Sequence, residues 1–290
     1  MLHLKAKRLL RLLNGVTLIR TPALAAFSMV SSITVSGAMA APVNLNTWTA
    51  ESYPAVAGFG AGVWTPSADG SSVHQAVNGQ PTLFVSDFNV FNTDVRGRIR
   101  VNSNNDDDYI GFAIGYQPGD TTNGAADYLL VDWKQATQSF DFGAPSNTPG
   151  STADVGLAVS RVSGIPTADE FWGHVDFNAD PSGGLQELAR GATLGATGWD
   201  EFTEYNFRFI FLPTSLQVFV DGQLELSING SFSDGRLGFY NFSQADVTYS
   251  AFTLDPAPPQ PPANDVPEPI TLSLLGAGLA GIGVMRRKRG

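Results

Sequence analysis

Three consecutive carboxylates, Asp106-Asp107-Asp108, follow Asn104 and Asn105. Charges this close repel one another unless water or a cation lies among them. Calcium takes about six to eight hard oxygen ligands, and carboxylates and side-chain amides supply such oxygens. Asp106, Asp107 and Asp108 are therefore the candidate metal ligands, with Ca2+ as the expected cofactor. The competing reading is a solvated turn whose Asp and Asn side chains cap local backbone. A second acidic stretch places Asp176, Asn178, Asp180, Ser182 and Glu187 at positions 1, 3, 5, 7 and 12 of an EF-hand loop. Pro181 stands there where a glycine must turn with positive φ, which proline cannot do, so chance spacing is the better account.

Aromatic rings could stack on sugars. Trp64, Trp133, Trp172, Trp199 and Tyr116 are the candidates, and Trp133 and Trp172 are singled out as carbohydrate-binding residues. In a β-sandwich most such rings are core. Catalysis is poorly supported. A glycosidase needs two facing carboxylates, and the nearest acidic pair, Glu201 and Glu204, lies in a loop leading into Tyr205. A serine triad would have to use His74 or His174, and no G-x-S-x-G elbow occurs. With no cysteine, thiolate nucleophiles, disulfides and cysteine-ligated metals are excluded.

The elements that must position these residues read as strands. From Ala41 to Leu254 no 3.6-residue apolar period is sustained; short β-rich runs alternate with Gly, Asn, Asp, Ser and Pro. Strands are expected over Thr82–Phe91, Arg96–Val101, Tyr109–Tyr116, Tyr128–Trp133, Val155–Val162, Glu170–Phe177, Tyr205–Phe211, Leu216–Val220, Leu224–Ile228, Arg236–Phe242 and Val247–Leu254. A short helix is expected within Leu185–Leu194. Asp221-Gly222 signals a tight hairpin. Arg96, Arg98 and Arg100 alternate with Gly97, Ile99 and Val101, as on a strand with one wet face. More than ten strands favour an all-β, two-sheet antiparallel sandwich of jelly-roll type.

Charge is distributed unevenly. Between Ala41 and Asp265 eight Lys/Arg face 26 Asp/Glu, a net −18, while the other basic residues crowd the two ends. Such a field repels nucleic acid and attracts divalent cations. Residues 1–40 read as a signal peptide: a basic n-region, a charge-free stretch from Thr21, and Ala38-Met39-Ala40 as the small-x-small site, with cleavage before Ala41. Residues 255–265 form a proline-rich linker that favours polyproline II. At the other end Pro267-Glu268-Pro269 precedes an uncharged run, 270–285, which as a helix barely spans a bilayer, and then Arg286-Arg287-Lys288-Arg289. The two prolines hold Glu268 extended, a good protease substrate.

These last 25 residues resemble a PEP-CTERM sorting signal. The resemblance implies an exported Gram-negative protein, cut by an exosortase near Pro267-Glu268-Pro269 and associated with extracellular polysaccharide. A second resemblance lies in Val101 to Gln117, Asp127 to Gln135, Phe171-Trp172-Gly173-His174, Gly198-Trp199, and Gly235 to Gln244. In order, these are similar to the thrombospondin C-terminal domain. That implies an L-type-lectin-like sandwich over residues 41–254 and raises the expectation of calcium.

The expected protein is thus a non-catalytic, calcium-binding adhesion or matrix domain. Its partners would be signal peptidase and exosortase during maturation, then extracellular polysaccharide or a surface protein, with no nucleic acid. Residues 270–285 would hold it in the inner membrane before processing delivers it to the cell surface, outer membrane or matrix. The alternatives are a lectin-like module that reads a neutral glycan and, less favoured, a glycoside hydrolase acting through Glu201 or Glu204.

Overall fold

The computed structural model describes residues 40–56, 58–144, 148–177 and 183–259. The expected signal peptide, Ala38 included, lies outside the described residues, apart from Ala40. So do Pro267, Glu268, Pro269 and segment 270–285. Among the described residues no helix is long and apolar enough to cross a membrane.

In chain order the strands are β1 (Ala41–Pro42), β2 (Thr49–Ser52), β3 (Trp64–Pro66), β4 (Ser72–Gln75), β5 (Thr82–Asn89), β6 (Thr93–Val101), β7 (Tyr109–Tyr116), β8 (Asp127–Lys134), β9 (Gln138–Phe140) and β10 (Ser151–Ala153). Then come β11 (Gly156–Gly164), the helix α1 (Ala168–Gly173), β12 (Gly183–Arg190), β13 (Glu204–Leu212), β14 (Ser215–Val220), β15 (Gln223–Asn229), β16 (Arg236–Phe242) and β17 (Val247–Pro256). One sheet runs β15-β14-β13-β6-β17-β4-β3, with β1 paired to β17; the other runs β12-β11-β8-β7-β16-β5-β2. Neighbours pair antiparallel, as in β6 with β13 and β7 with β16. The chain crosses between the sheets at β5–β6 and β6–β7, which is the expected sandwich.

The two sheets differ because their residues alternate differently. In β6 the side chains of Arg96, Arg98 and Arg100 are exposed while Val95, Ile99 and Val101 are buried, so that sheet has one wet face. Every residue of β7 is buried. Its Ile110, Phe112 and Ile114 enter the core between the sheets, with Phe209, Phe239 and Tyr249. Its Tyr109, Ala113 and Tyr116 enter a second apolar layer on the other face, with Phe142, Phe171, Trp172 and Phe242. A continuous apolar run thus marks a strand covered on both sides. The covering layer includes α1 and the β9–β10 hairpin.

Turn chemistry holds where it was read. Asp221 and Gly222 both take positive φ, 46° and 82°, in the two-residue turn joining β14 to β15. Two expectations fail. Glu170–Phe177 is not a strand: Thr167 and Glu170 form a reciprocal capping box that starts α1. Leu185–Leu194 holds no helix: residues 183–190 form β12, an edge strand whose long register with β11 overrides the helix-favouring Gln186, Glu187 and Ala189.

Candidate functional site

The acidic run occupies the loop from β6 to β7, and its order comes from Lys134. This is the sole lysine between Ala41 and Asp265. It ends β8, on the face turned to the outer layer, and its side chain is 0% exposed. Nζ donates to the Asp107 carbonyl (2.8 Å), Asp107 Oδ1 (3.0 Å) and Asp108 Oδ1 (2.7 Å), and lies 5.0 Å from the centre of the Trp172 ring. The backbone supports this placement. Gln135 N–H donates to the Asp107 carbonyl, Asp108 N–H donates to Gln244 Oε1, and Trp199 Nε1 donates to the Asp108 carbonyl. Burial pushes Asp108 up to about 7, a rise that the Lys134 ammonium moderates. An ammonium therefore already stands between two of the three carboxylates.

Asp106 stands apart from Lys134. It accepts from Asn78 Nδ2 and from Asp107 N–H. With Asn104, Asn105, Asp107, Gln135 and Glu201 it lines an open depression. Asp106, Asp107 and Asp108 each offer one carboxylate oxygen within 4.8 Å of the others. The donors around this depression are oxygens of carboxylates and amides, with no imidazole or thiolate, a set that suits a hard cation. Asp106, Asp107, Asp108 and Glu201 against Lys134 leave negative charge in excess. The residues present fit calcium on the solvent side of the loop, with Lys134 holding the inner side.

The aromatic candidates fare differently. Trp133 and Trp172 are both 1% exposed. The Trp133 ring packs on Tyr205 and donates to the Thr197 carbonyl; the Trp172 ring packs on Phe142 and donates to the Gln138 carbonyl. Neither presents a face to a sugar, so the carbohydrate-binding assignment of Trp133 and Trp172 is corrected to core packing. Trp199 and Tyr116 are buried too, and Trp64 stacks on Phe84.

Of the EF-hand-like spacing, Asn178, Asp180 and Ser182 lie outside the described residues. Glu187 belongs to β12, where it receives a fork from Arg190 and contacts His174 Nδ1 at 3.3 Å. The other His174 nitrogen meets buried Asp132 at 2.9 Å. Burial opposes a charged ring here, but Asp132 and Glu187 outweigh it and hold His174 at about 9. This buried centre was not foreseen; its one sequence signal is the pair of charges, Asp132 and Lys134, interrupting an apolar strand. Glu204 pairs with Arg98 at 3.0 Å on the wet face of the sheet, while Glu201 lines the depression. His74 meets Asp246 at 2.8 Å near the surface.

Residues 60–256 match the thrombospondin C-terminal region. The chain belongs to that family. Residues 265–289 match the PEP-CTERM protein-sorting motif, which marks an exported protein handled by an exosortase. Mouse thrombospondin-2 is 27% identical over 195 residues, covering 64% of this chain and 16% of that protein. Mouse thrombospondin-3 is 28% identical over 201 residues, covering 64% of this chain and 19% of that protein. This chain thus spans less than a fifth of either relative. Among solved structures, the carbohydrate-binding module CBM66 from Bacillus subtilis aligns with TM-score 0.46 and 11% identity, covering 72% of this chain and 95% of the module. The Ca2+/Man3GlcNAc-bound exoplasmic domain of VIP36 aligns with TM-score 0.43 and 11% identity, covering 78% of this chain and 90% of that domain.

Proposed function

We propose that this thrombospondin C-terminal domain is a non-catalytic, calcium-binding adhesion or matrix module, displayed outside the cell and presenting its acidic loop away from its tether. One observation carries this reading: the oxygen-lined depression and the chain's exit lie at opposite ends of the sandwich. In the register of β6 with β17, Thr93 faces Pro256 and Val101 faces Val247. The eight residue steps between Thr93 and Val101 span roughly 26 Å at about 3.3 Å each. The acidic loop follows Val101, whereas the proline-rich linker follows Pro256. A sorting signal beyond that linker would leave the acidic pole facing outward.

Asp106, Asp107 and Glu201, with the amide oxygens of Asn104, Asn105 and Gln135, would hold the ion. Calcium there would cancel the excess negative charge and leave coordination positions for carboxylates or hydroxyls of a matrix polymer. Lys134 does the separate work of ordering Asp107 and Asp108 from within, so the loop keeps its shape without the ion.

Thermal melts with calcium and with chelator test this. At a calcium concentration a hundredfold above Kd, linkage stabilises by about 2.7 kcal/mol, a shift of roughly 5–10 °C for a domain of this size. Asp106→Asn removes most of that shift. A melting temperature that ignores both calcium and the substitution would defeat the metal assignment. Mass spectrometry of the mature termini, expected at Ala41 and near Pro267-Glu268-Pro269, tests the export reading separately.

A further inference from the structure

The wet face of the eight-stranded sheet concentrates the domain's scarce positive charge. Of the eight basic residues between Ala41 and Asp265, four lie on adjacent strands of this face: Arg96, Arg98 and Arg100 on β6, and Arg208 on β13. Arg96 sits directly opposite Arg208 in the β6–β13 register. Like charges in that position destabilise a sheet unless an acid lies between them. Asp94 beneath them is 3% exposed and holds both: Arg208 donates to its two oxygens at 2.7–3.1 Å, and Arg96 does so at 3.0 and 3.2 Å. Arg208 also lies over the Phe219 ring, 5.1 Å from its centre. Both guanidiniums are thus fixed before any ligand arrives. Arg100 makes no ion pair among the described residues.

Arg96, Arg98 and Arg208 line a groove of ≈ 320 Å³, walled by Gly222 and by Ala251 at a bulge of β17, and Arg100 lies next along β6. Ala251 takes φ 54° there, a backbone state that a non-glycine residue adopts at a cost and that clusters at binding sites. The floor is chemically mixed. The Asn206 amide lines it beside the arginines, and two carboxylates flank these residues, Glu204 on Arg98 and Asp221 on Asn206.

We infer that this groove binds a carboxylate-bearing polysaccharide directly, through Arg96, Arg98 and Arg208, with Arg100 extending the contact along β6. Asp94 takes the Nε and Nη2 edges of Arg96 and Arg208, which leaves their Nη1 groups to donate to a ligand carboxylate in charge-assisted bonds. A uronate chain offers one carboxylate per sugar plus hydroxyls, which need both the donors and the acceptors found here. Arg96, Arg98 and Arg100 stand two residues apart, about 6.7 Å along the strand, a line of cations suited to an extended polymer. The inference rests on the extracellular reading for access to such a polymer, and it is independent of calcium.

Affinity electrophoresis of the full chain in detergent, through gels containing polygalacturonate or neutral dextran, tests it. Retardation by polygalacturonate, absent with dextran and unchanged by EDTA, is the expected result. Arg98→Gln and Arg100→Gln, both exposed and outside the core, should each weaken it about tenfold while leaving the melting temperature and its calcium response unchanged. No retardation at low salt, equal retardation by dextran, or binding that EDTA abolishes and the arginine variants keep would each overturn the groove. The last of these would place the polymer on calcium at the acidic pole, so failure of the groove is distinguishable from failure of the metal reading.

Discussion

Replacing Lys134 by methionine should reveal how the acidic loop is held. Methionine keeps the apolar stem as far as Cε but deletes the ammonium, and with it the cation–π contact of Nζ with Trp172. The structure sets the loss. The ammonium donates to the Asp107 carbonyl, Asp107 Oδ1 and Asp108 Oδ1, and Asp108 is only 4% exposed. Removing one member of a buried pair leaves the other uncompensated, at a cost of about 3–5 kcal/mol. For a domain of this size that is roughly 10 °C in melting temperature. The cost must also depend on pH. Asp108 titrates at about 7 in the folded chain because it is buried, with Lys134 opposing the rise. Its folded pKa exceeds the unfolded one, so the stability linked to its proton is complete below about pH 4 and is lost as pH rises through about 7. Without Lys134 the loss above pH 7 deepens, whereas at pH 5 a proton on Asp108 takes over part of the ammonium's role. Urea unfolding of residues 41–259 at pH 5 and pH 8 therefore decides the matter. An equal deficit at both values would mean that only packing was lost, and a deficit below about 1 kcal/mol at pH 8 would refute the argument.

His174 supplies a second, separate pH window. Held at about 9 against burial by Asp132 and Glu187, its charged form contributes stability that is fully present below about pH 6.5 and lost as pH rises through about 9. The size is about 3 kcal/mol. His174→Gln should flatten urea midpoints across that window, and a wild-type midpoint constant from pH 6 to 9.5 would contradict the assignment. Trp133→Phe should destabilise by about 1–3 kcal/mol through the lost bond to the Thr197 carbonyl, with polygalacturonate retardation unchanged; altered retardation in a folded variant would return that ring to the binding surface. Gly97→Ala should cost about 1–3 kcal/mol in a thermal melt, because a Cβ there would lie 2.3 Å from the Phe252 ring. A neutral substitution would show that the ring moves freely.

Tyr109–Tyr116 and Arg236–Phe242 begin and end where the apolar runs begin and end, because polar turns flank both. The Asp221-Gly222 hairpin was legible because its chemistry is local. The failures also have local or long-range causes that can be named. At Thr167-Ala168-Asp169-Glu170 the capping box was present in the residues, but the aromatic pair Phe171-Trp172 reads equally well as strand, and only the box distinguishes the two. Tryptophans on a strand look alike whether they face a groove or a second layer; that Trp172 is core depends on Tyr109, Phe142 and Phe242, which the chain brings from three separate segments.

The acidic run shows most clearly where local reading stops. Three adjacent carboxylates call for water or a cation among them, and that inference needed no structure. Which cation answers the demand depends on a residue 26 positions from Asp108, brought alongside by the β7–β8 pairing. Lys134 and the proposed calcium would not be rivals for one position. The lysine is sealed under Trp172 and reaches the inner oxygens of Asp107 and Asp108, whereas Asp106, Glu201 and the flanking amides open to solvent. A loop held by an internal ammonium is preformed when a divalent ion arrives, so ion binding need not order it first, and the affinity should be set by the outer carboxylates alone. The chelator response should therefore change with Asp106 and Glu201, and Lys134→Met should lower stability with and without calcium by similar amounts. If calcium instead restored the Lys134 variant to wild-type stability, the ion would be entering the lysine's place, and the division of the loop into an inner and an outer cation site would be wrong.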